Sequence, residues 1–255
     1  MIPIKDGEIH LWVADYESIA CNILDGLMAL LAPHELAQQR RFHFARDRRR
    51  YLVTRALVRT VLSRYQPVAP EAWQFTTNPY GRPEVANPEV HDLRLTFNLS
   101  HTHSLIVLGV AKERYFGVDI ENIENRSCCL DLARQVFAPC EAVALVSLPH
   151  EEVQTRFFEY WTLKESYIKA RGMGLSIPLD KFSYSFPKPG VVAIDIAADL
   201  GDIPERWQFW LMRPSERYSL ALCAERLSVA TVLVSRLITP DFEDVSVELP
   251  ILRQG

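Results

Sequence analysis

The 255-residue chain reads as an α+β protein, with helices set between antiparallel strands. Three observations predict this. Residues 33–65 and 151–171 keep good helix formers at helical spacing with no proline inside either stretch. Short segments read as strands at 8–14, 96–99 and 105–111, and near 118–121 apolar and polar residues alternate strictly. A further run of alternating segments between residues 182 and 224 predicts an antiparallel sheet late in the chain. No Walker A sequence, no Rossmann fingerprint and no internal repeat strong enough to count accompanies them.

Taken in order, residues 8–14 form the opening strand. Pro33 begins one long helix reaching to about Tyr65, with Phe42, Leu52, Ala56, Leu57, Val61 and Leu62 as its core-facing stripe. The arginines take the other sides. Between Arg40 and Arg64 nine arginines meet a single acid, Asp47, so this segment carries +8 while the rest of the chain carries −12. Such a helix fits a solvated face, a nucleic-acid footprint or a grip on a smaller phosphate-rich ligand, for which arginine's planar fork is suited. No nucleic-acid motif, aromatic interleaving or overall basic charge supports the second reading.

Turn residues follow at Asn78-Pro79-Tyr80-Gly81-Arg82-Pro83 and Asn87-Pro88. A strand at 96–99 leads into Ser100-His101-Thr102-His103, and a second strand at 105–111 completes a hairpin. His101 and His103 have no third ligand near in sequence for zinc, and Ser100-His101 lacks the elbow of a hydrolase nucleophile. In the strand at 115–121, Val118 and Ile120 face a core, and Asp119 and Glu121 face the other way, about 7 Å apart. On an open surface that spacing costs only about 0.6 kcal/mol. A third carboxylate converging on the pair would call for a divalent cation. Hard oxygen donors of that kind imply Mg²⁺ or Mn²⁺.

Ala138-Pro139 opens a short helix, and the helix at 151–171 stops at Gly172. On that helix Trp161, Glu165 and Lys169 share one face at i, i+4, i+8. Alone, Glu165 and Lys169 read as a surface ion pair. The five cysteines (Cys21, Cys128, Cys129, Cys140, Cys223) form no C-x-x-C pair and read as reduced thiols, mostly core filler. The N-terminus lacks the basic start and apolar core of a signal peptide, and the longest apolar run, residues 23–32, is too short to span a bilayer. A cytoplasmic protein is expected, with no membrane partner.

Three fragments together carry a specific resemblance: Phe97-Asn98-Leu99-Ser100-His101, Gly117-Val118-Asp119-Ile120-Glu121 and Trp161-Thr162-Leu163-Lys164-Glu165-Ser166-Tyr167-Ile168-Lys169-Ala170. In this order and spacing they resemble the motifs of the 4′-phosphopantetheinyl transferases, in the larger, Sfp-type group that activates peptide synthetases. Tyr80-Gly81-Arg82-Pro83 is similar to that family's G-K-P element, and Arg40-Arg41-Phe42 opens a basic helix where the family has one. The resemblance implies transfer of the phosphopantetheine arm of coenzyme A to a serine of an acyl or peptidyl carrier protein. It implies Mg²⁺ (or Mn²⁺) held by Asp119, Glu121 and Glu165, with Glu165 as general base and Lys169 on the pyrophosphate. Ser100 and His101 match phosphate-binding positions, Arg55 and Arg82 match positions that grip the nucleotide end, and Trp161 packs the helix.

Where relatives place lysines ahead of Arg40 this chain has Glu35 and Gln38, so Arg41 or Arg50 is expected to take over the 3′-phosphate. The resemblance further implies a monomer of two similar α+β halves related by a pseudo-twofold, residues 1–115 and 116–255, with the active site in the cleft between them. The alternative is a non-catalytic relative that binds coenzyme A or a carrier protein; the intact carboxylates and Lys169 count against it. The carrier, its pathway and the role of the tail after Ser228 stay open at this level.

Overall fold

A computed structural model of the chain describes residues 1–88, 95–124 and 130–255, apart from the side chain of Leu175. Cys128 and Cys129 lie outside the described residues. The chain begins with β1 (Glu8–Asp15), α1 (Cys21–Met28), α2 (Pro33–Arg41), α3 (Ala45–Leu62), the short hairpin β2 (Phe75–Thr77) and β3 (Pro83–Val85), then β4 (Leu95–His101) and β5 (Leu105–Lys112). It continues with β6 (Phe116–Asn122), α4 (Leu130–Val136), α5 (Pro139–Val146), α6 (His150–Arg171), the hairpin β7 (Phe182–Ser185) and β8 (Ala193–Ile196), then β9 (Trp207–Ser215) and β10 (Tyr218–Glu225). The order strand, three helices, short hairpin, two strands thus occurs twice. The last three strands are β11 (Val232–Ile238), β12 (Asp244–Val247) and β13 (Ile251–Gln254). The fold is α+β.

One sheet has the order β12-β11-β1-β5-β4 and the other β13-β9-β10-β6. The two sheets face each other across a core containing Leu11, Val107, Val118, Ile120, Leu220 and Leu222. Outside the first sheet lies α3, through Val53, Leu57 and Val61 against Trp12, Ile106 and Leu108. Outside the second lies α6, through Phe158, Leu163 and Tyr167 against Phe209, Leu211 and Ala221. Both faces of β1 are therefore covered, and Ile9 through Ala14 are all buried.

Three expectations are corrected here. The long basic helix is two helices, broken where Phe42 (φ −68°, ψ 130°) and Phe44 (φ −88°, ψ 139°) are extended. The break is held because Phe42 packs on Tyr51 at 5.4 Å and the Arg48 guanidinium donates to the carbonyls of Phe42 (2.9 Å) and His43 (3.0 Å). The late strands do not make one sheet: among the described residues β7 and β8 form a separate two-stranded sheet, and β9 and β10 join β6. Among the described cysteines only Cys223 is buried, while Cys21 and Cys140 are exposed. The tail also gains a role. β11 runs parallel to β1 from Glu8↔Val232 to Ala14↔Ile238, and β13 pairs with β9, so the tail is stitched into both sheets.

Two buried carboxylates anchor the long helices. At the start of α2, Glu35 accepts from the Ala32 N–H (2.9 Å) and is paired with Arg59 (2.8 Å) and Arg55 of α3. At the start of α5, Glu141 accepts from the Ala138 N–H (3.0 Å) and is paired with Lys164 of α6 (2.8 Å). Each cation then reaches the chain beyond its own helix. Arg59 donates to the carbonyls of Pro70 (3.1 Å) and Trp73 (2.9 Å), and Lys164 to those of Leu179 (2.8 Å) and Phe182 (2.5 Å). The two sites share the local sequence Ala-Pro-x-Glu, at residues 32–35 and 138–141, with proline in the first turn where its missing N–H does no harm. Burial would raise the Glu35 carboxyl, but Arg55, the Ala32 N–H and Arg59 outweigh it and hold its pKa below the ordinary value. Glu141 has one cation, and burial pushes its pKa up.

Candidate active site

The site forms where three elements meet: β4, β6 and α6. Helix α6 ends at Gly172, whose left-handed φ of 66° lets its N–H donate to Ile168 and Lys169 carbonyls at 3.0 and 3.1 Å. Lys169 and Arg171 in the last turn suit the negative end of the helix, as Glu151 and Glu152 suit the first. The helix can lie directly on β6 because Gly117 has no side chain. A Cβ there would stand 2.2 Å from the Ser166 carbonyl oxygen and 2.7 Å from Lys169 Cβ. Gly117→Ala is expected to cost about 1–3 kcal/mol or more, since the obstacle is backbone that cannot rotate away. Chemical denaturation would measure it, and a change under about 0.5 kcal/mol, the range of an ordinary surface substitution, would mean that α6 backs off freely.

That close contact delivers Lys169 to Asp119. The ammonium donates to Asp119 Oδ1 at 2.7 Å and to Ser100 Oγ at 2.9 Å, and Ser100 Oγ donates to the same Oδ1 at 2.8 Å. Asp119 is 5% exposed, and its Oδ2 is buried with no hydrogen-bond partner among the described residues. Glu165, one turn before Lys169, has its pKa raised above the ordinary value, by burial first and by the charge of Asp119 second, with Lys169 acting in the opposite direction. Glu165 and Lys169 are thus no surface ion pair: Lys169 is paired with Asp119, and Glu165 is half-buried beside that pair. Glu121, further along β6, has an oxygen 3.4 Å from Thr102 Oγ1. Among the described residues no three His, Cys, Asp or Glu side chains are gathered closely enough to hold a metal as they stand.

Two cavities flank this centre. One, of about 310 Å³, is lined by Glu165, Lys169, Asn98, Arg82 and Gly172. The turn at its edge is organised by Asn78, whose Oδ1 accepts from the Tyr80 and Arg82 N–H groups (2.9 Å each) and whose Nδ2 donates to the Gly172 carbonyl (2.8 Å). Arg82 also donates to Glu84 at 2.9 Å. The other cavity, of about 660 Å³, is lined by Arg46, Arg50, His101, Thr102, His103 and Asn122. Partial desolvation first, and Arg50 second, push the His101 pKa below the ordinary value.

Arg55 was expected in this wall and is not there. It is turned onto Glu35 and over the Phe75 ring (4.9 Å), because a buried carboxylate must be paired. Most of the arginine cluster is similarly structural. Arg48 and Arg49 hold backbone carbonyls, Arg59 is 1% exposed, and Arg64 pairs with Asp244. Trp161 packs as expected, stacked 6.0 Å from Phe157 and tilted against Phe137 at 6.2 Å. Sequence reasoning missed Thr102 and the Glu141–Lys164 pair. The signal for Thr102 was present as the alternation Asn98, Ser100, Thr102 of small polar residues on one strand edge.

The family described as 4′-phosphopantetheinyl transferase superfamily matches residues 115–223, and the one described as 4′-phosphopantetheinyl transferase, N-terminal, matches residues 20–113. Among curated relatives, 4′-phosphopantetheinyl transferase HetI of Nostoc sp. (strain PCC 7120) is 37% identical over 69% of this chain and 73% of its own. 4′-Phosphopantetheinyl transferase Sfp of Bacillus subtilis (strain 168) is 32% identical over 66% of this chain and 72% of its own. A solved holo-[acyl-carrier-protein] synthase of Thermotoga maritima is similar over 48% of this chain and 67% of its own, at 16% identity and a TM-score of 0.37, too slight a likeness to carry an argument. The chain belongs to the 4′-phosphopantetheinyl transferase superfamily. No described helix is long and apolar enough to cross a membrane.

Proposed function

We propose that this protein transfers the 4′-phosphopantetheine arm of coenzyme A to a serine of an acyl or peptidyl carrier protein and releases adenosine 3′,5′-bisphosphate. The observation that carries the reading is the meeting of Asp119, Glu165, Lys169 and Ser100 in one cleft, beside a cavity walled by Arg46, Arg50 and His101. A diphosphate with a 3′-phosphorylated nucleoside presents the charges this arrangement would neutralise.

The donor set fits a hard divalent cation. Asp119 Oδ2 is buried with no partner among the described residues, and Glu165 is crowded by the Asp119 charge, so both would be relieved by a positive ion. Asp119, Glu121 and Glu165 would hold Mg²⁺ or Mn²⁺, and a cation there supplies charge neutralisation at the pyrophosphate. Lys169 contacts the pyrophosphate and eases departure of the bisphosphate. Ser100 and His101 contact phosphate oxygens. Arg46 and Arg50 grip the nucleotide end in place of Arg55, and Arg82, expected there too, lines the smaller cavity with Glu165 and Lys169. Glu165 takes the proton of the carrier serine, directly or through water.

The two halves are read as residues 1–115 and 116–255, related by a pseudo-twofold axis, with β11 and β12 of the tail crossing to the first sheet. The repeated element order supports it, as do the paired Ala-Pro-x-Glu knots. The enzyme works as a monomer in the cytoplasm, a reducing compartment that suits the exposed thiols of Cys21 and Cys140.

Purified protein with coenzyme A, Mg²⁺ and a panel of apo carrier proteins is expected to add about 340 Da to at least one of them, the mass of the arm in such a phosphoryl transfer. Intact-mass spectrometry reads it. Absence of any adduct across the panel, with the protein folded, would sink the assignment.

A further inference from the structure

The edges of the two sheets are joined by side chains instead of a backbone ladder. β4 and β6 are terminal strands of their sheets, and the N–H groups of Val118, Ile120 and Asn122 would otherwise be an unpaired edge. They donate instead to Asn98 Oδ1 (2.9 Å), Ser100 Oγ (3.3 Å) and Thr102 Oγ1 (2.9 Å), at a constant offset of 20 residues. The two hydroxyls do more than accept. Ser100 Oγ donates to Asp119 Oδ1 (2.8 Å) and Thr102 Oγ1 to Glu121 Oε2 (3.4 Å). A hydroxyl has one proton to give and two lone pairs to receive, so each can bind a carboxylate and the next residue's N–H at once. Each therefore fixes a carboxylate side chain relative to the strand that carries it. Thr102 is itself fixed, 9% exposed, with its N–H donating to the Leu105 carbonyl at 2.9 Å.

We propose that Thr102 is a positioning residue, which holds the Glu121 carboxylate beside Asp119 on the cleft edge of β6 and so sets the affinity of the carboxylates for a divalent cation. The proposal rests on the metal reading given above. Thr102 touches neither the cation nor the reacting atoms in this account; it acts through Glu121. Valine keeps the shape of threonine and removes both hydrogen bonds, whereas serine keeps the hydroxyl.

The test is Mn²⁺ titration of wild type, Thr102→Val, Thr102→Ser and Asp119→Asn, read by electron paramagnetic resonance, with amide hydrogen exchange at Asn122 followed in parallel. Thr102→Val is expected to weaken Mn²⁺ binding about 10–100-fold, the usual range for losing an outer partner of a ligand. It should also speed exchange at the Asn122 amide, and Thr102→Ser should restore both. Mn²⁺ affinity unchanged in a folded Thr102→Val protein, with Asp119→Asn still abolishing binding, overturns the positioning role and leaves the metal reading intact. Wild type that binds no Mn²⁺ sensitive to Asp119→Asn overturns both. If Thr102→Val fails to fold, the serine variant and Glu121→Gln decide. Serine matching wild type while Glu121→Gln loses affinity supports the proposal, and Glu121→Gln binding Mn²⁺ like wild type overturns it.

Discussion

Lys164→Met is expected to remove about 3–5 kcal/mol of folding stability, the cost of leaving one member of a buried ion pair unpaired. Lys164 and Glu141 are both fully enclosed and 2.8 Å apart. Burial pushes the lysine pKa down and the glutamate pKa up, so each resists its charge, and their mutual attraction is what opposes this. Methionine fills the space of the lysine stem and gives up the bonds to the Leu179 and Phe182 carbonyls. Glu141 would still be needed by the N–H groups of Ala138 and Tyr184, so it cannot leave. Adding Glu141→Gln, which keeps an acceptor oxygen and removes the orphaned charge, should recover part of the loss. Urea denaturation of the two variants measures both effects. A single variant that loses less than about 1 kcal/mol, within the range of an ordinary substitution, would show that the pair is no keystone.

Glu165→Gln is expected to lower transfer about 10²–10⁴-fold, the usual contribution of a positioned general base, with the fold intact. Its stability should run the other way. The folded pKa of Glu165 is raised, by burial and then by Asp119, so the stability associated with its neutral form is present below the unfolded value and is lost as pH rises through the folded one. Glutamine never ionises. Without added metal the variant should match wild type at low pH and become relatively more stable as pH rises across that window. Full transfer activity in the variant would remove Glu165 from the base and ligand roles, and a flat stability difference with pH would remove the electrostatic account.

Much of the fold was legible because periodicity reports burial. The alternation of Val118 and Ile120 with Asp119 and Glu121 identified β6, and the proline-free run ending at Gly172 identified α6. The break at Phe42-His43-Phe44 was not legible, since these residues are neither proline nor glycine and the interruption depends on Arg48 and Tyr51 reaching back. Asp119, Glu165, Lys169, Ser100 and His101 were singled out from short motifs, and the first four of them meet in one cleft. Arg55 was misplaced because a cluster of arginines does not say which of them answer a buried acid. Glu35 answers that question, and only contact across α2 and α3 reveals it.

By itself, then, the order of residues determined the α+β class, the hairpin of β4 and β5, the carboxylate strand and the helix facing it. These are local matters of spacing, turns and caps. Only the tertiary structure decided that Gly117 lets α6 touch β6, that the tail joins both sheets, and that Ser100 and Thr102 reach across nineteen residues to hold Asp119 and Glu121. Those depend on close approach between segments remote in the chain, and spacing along one strand carries no measure of that distance.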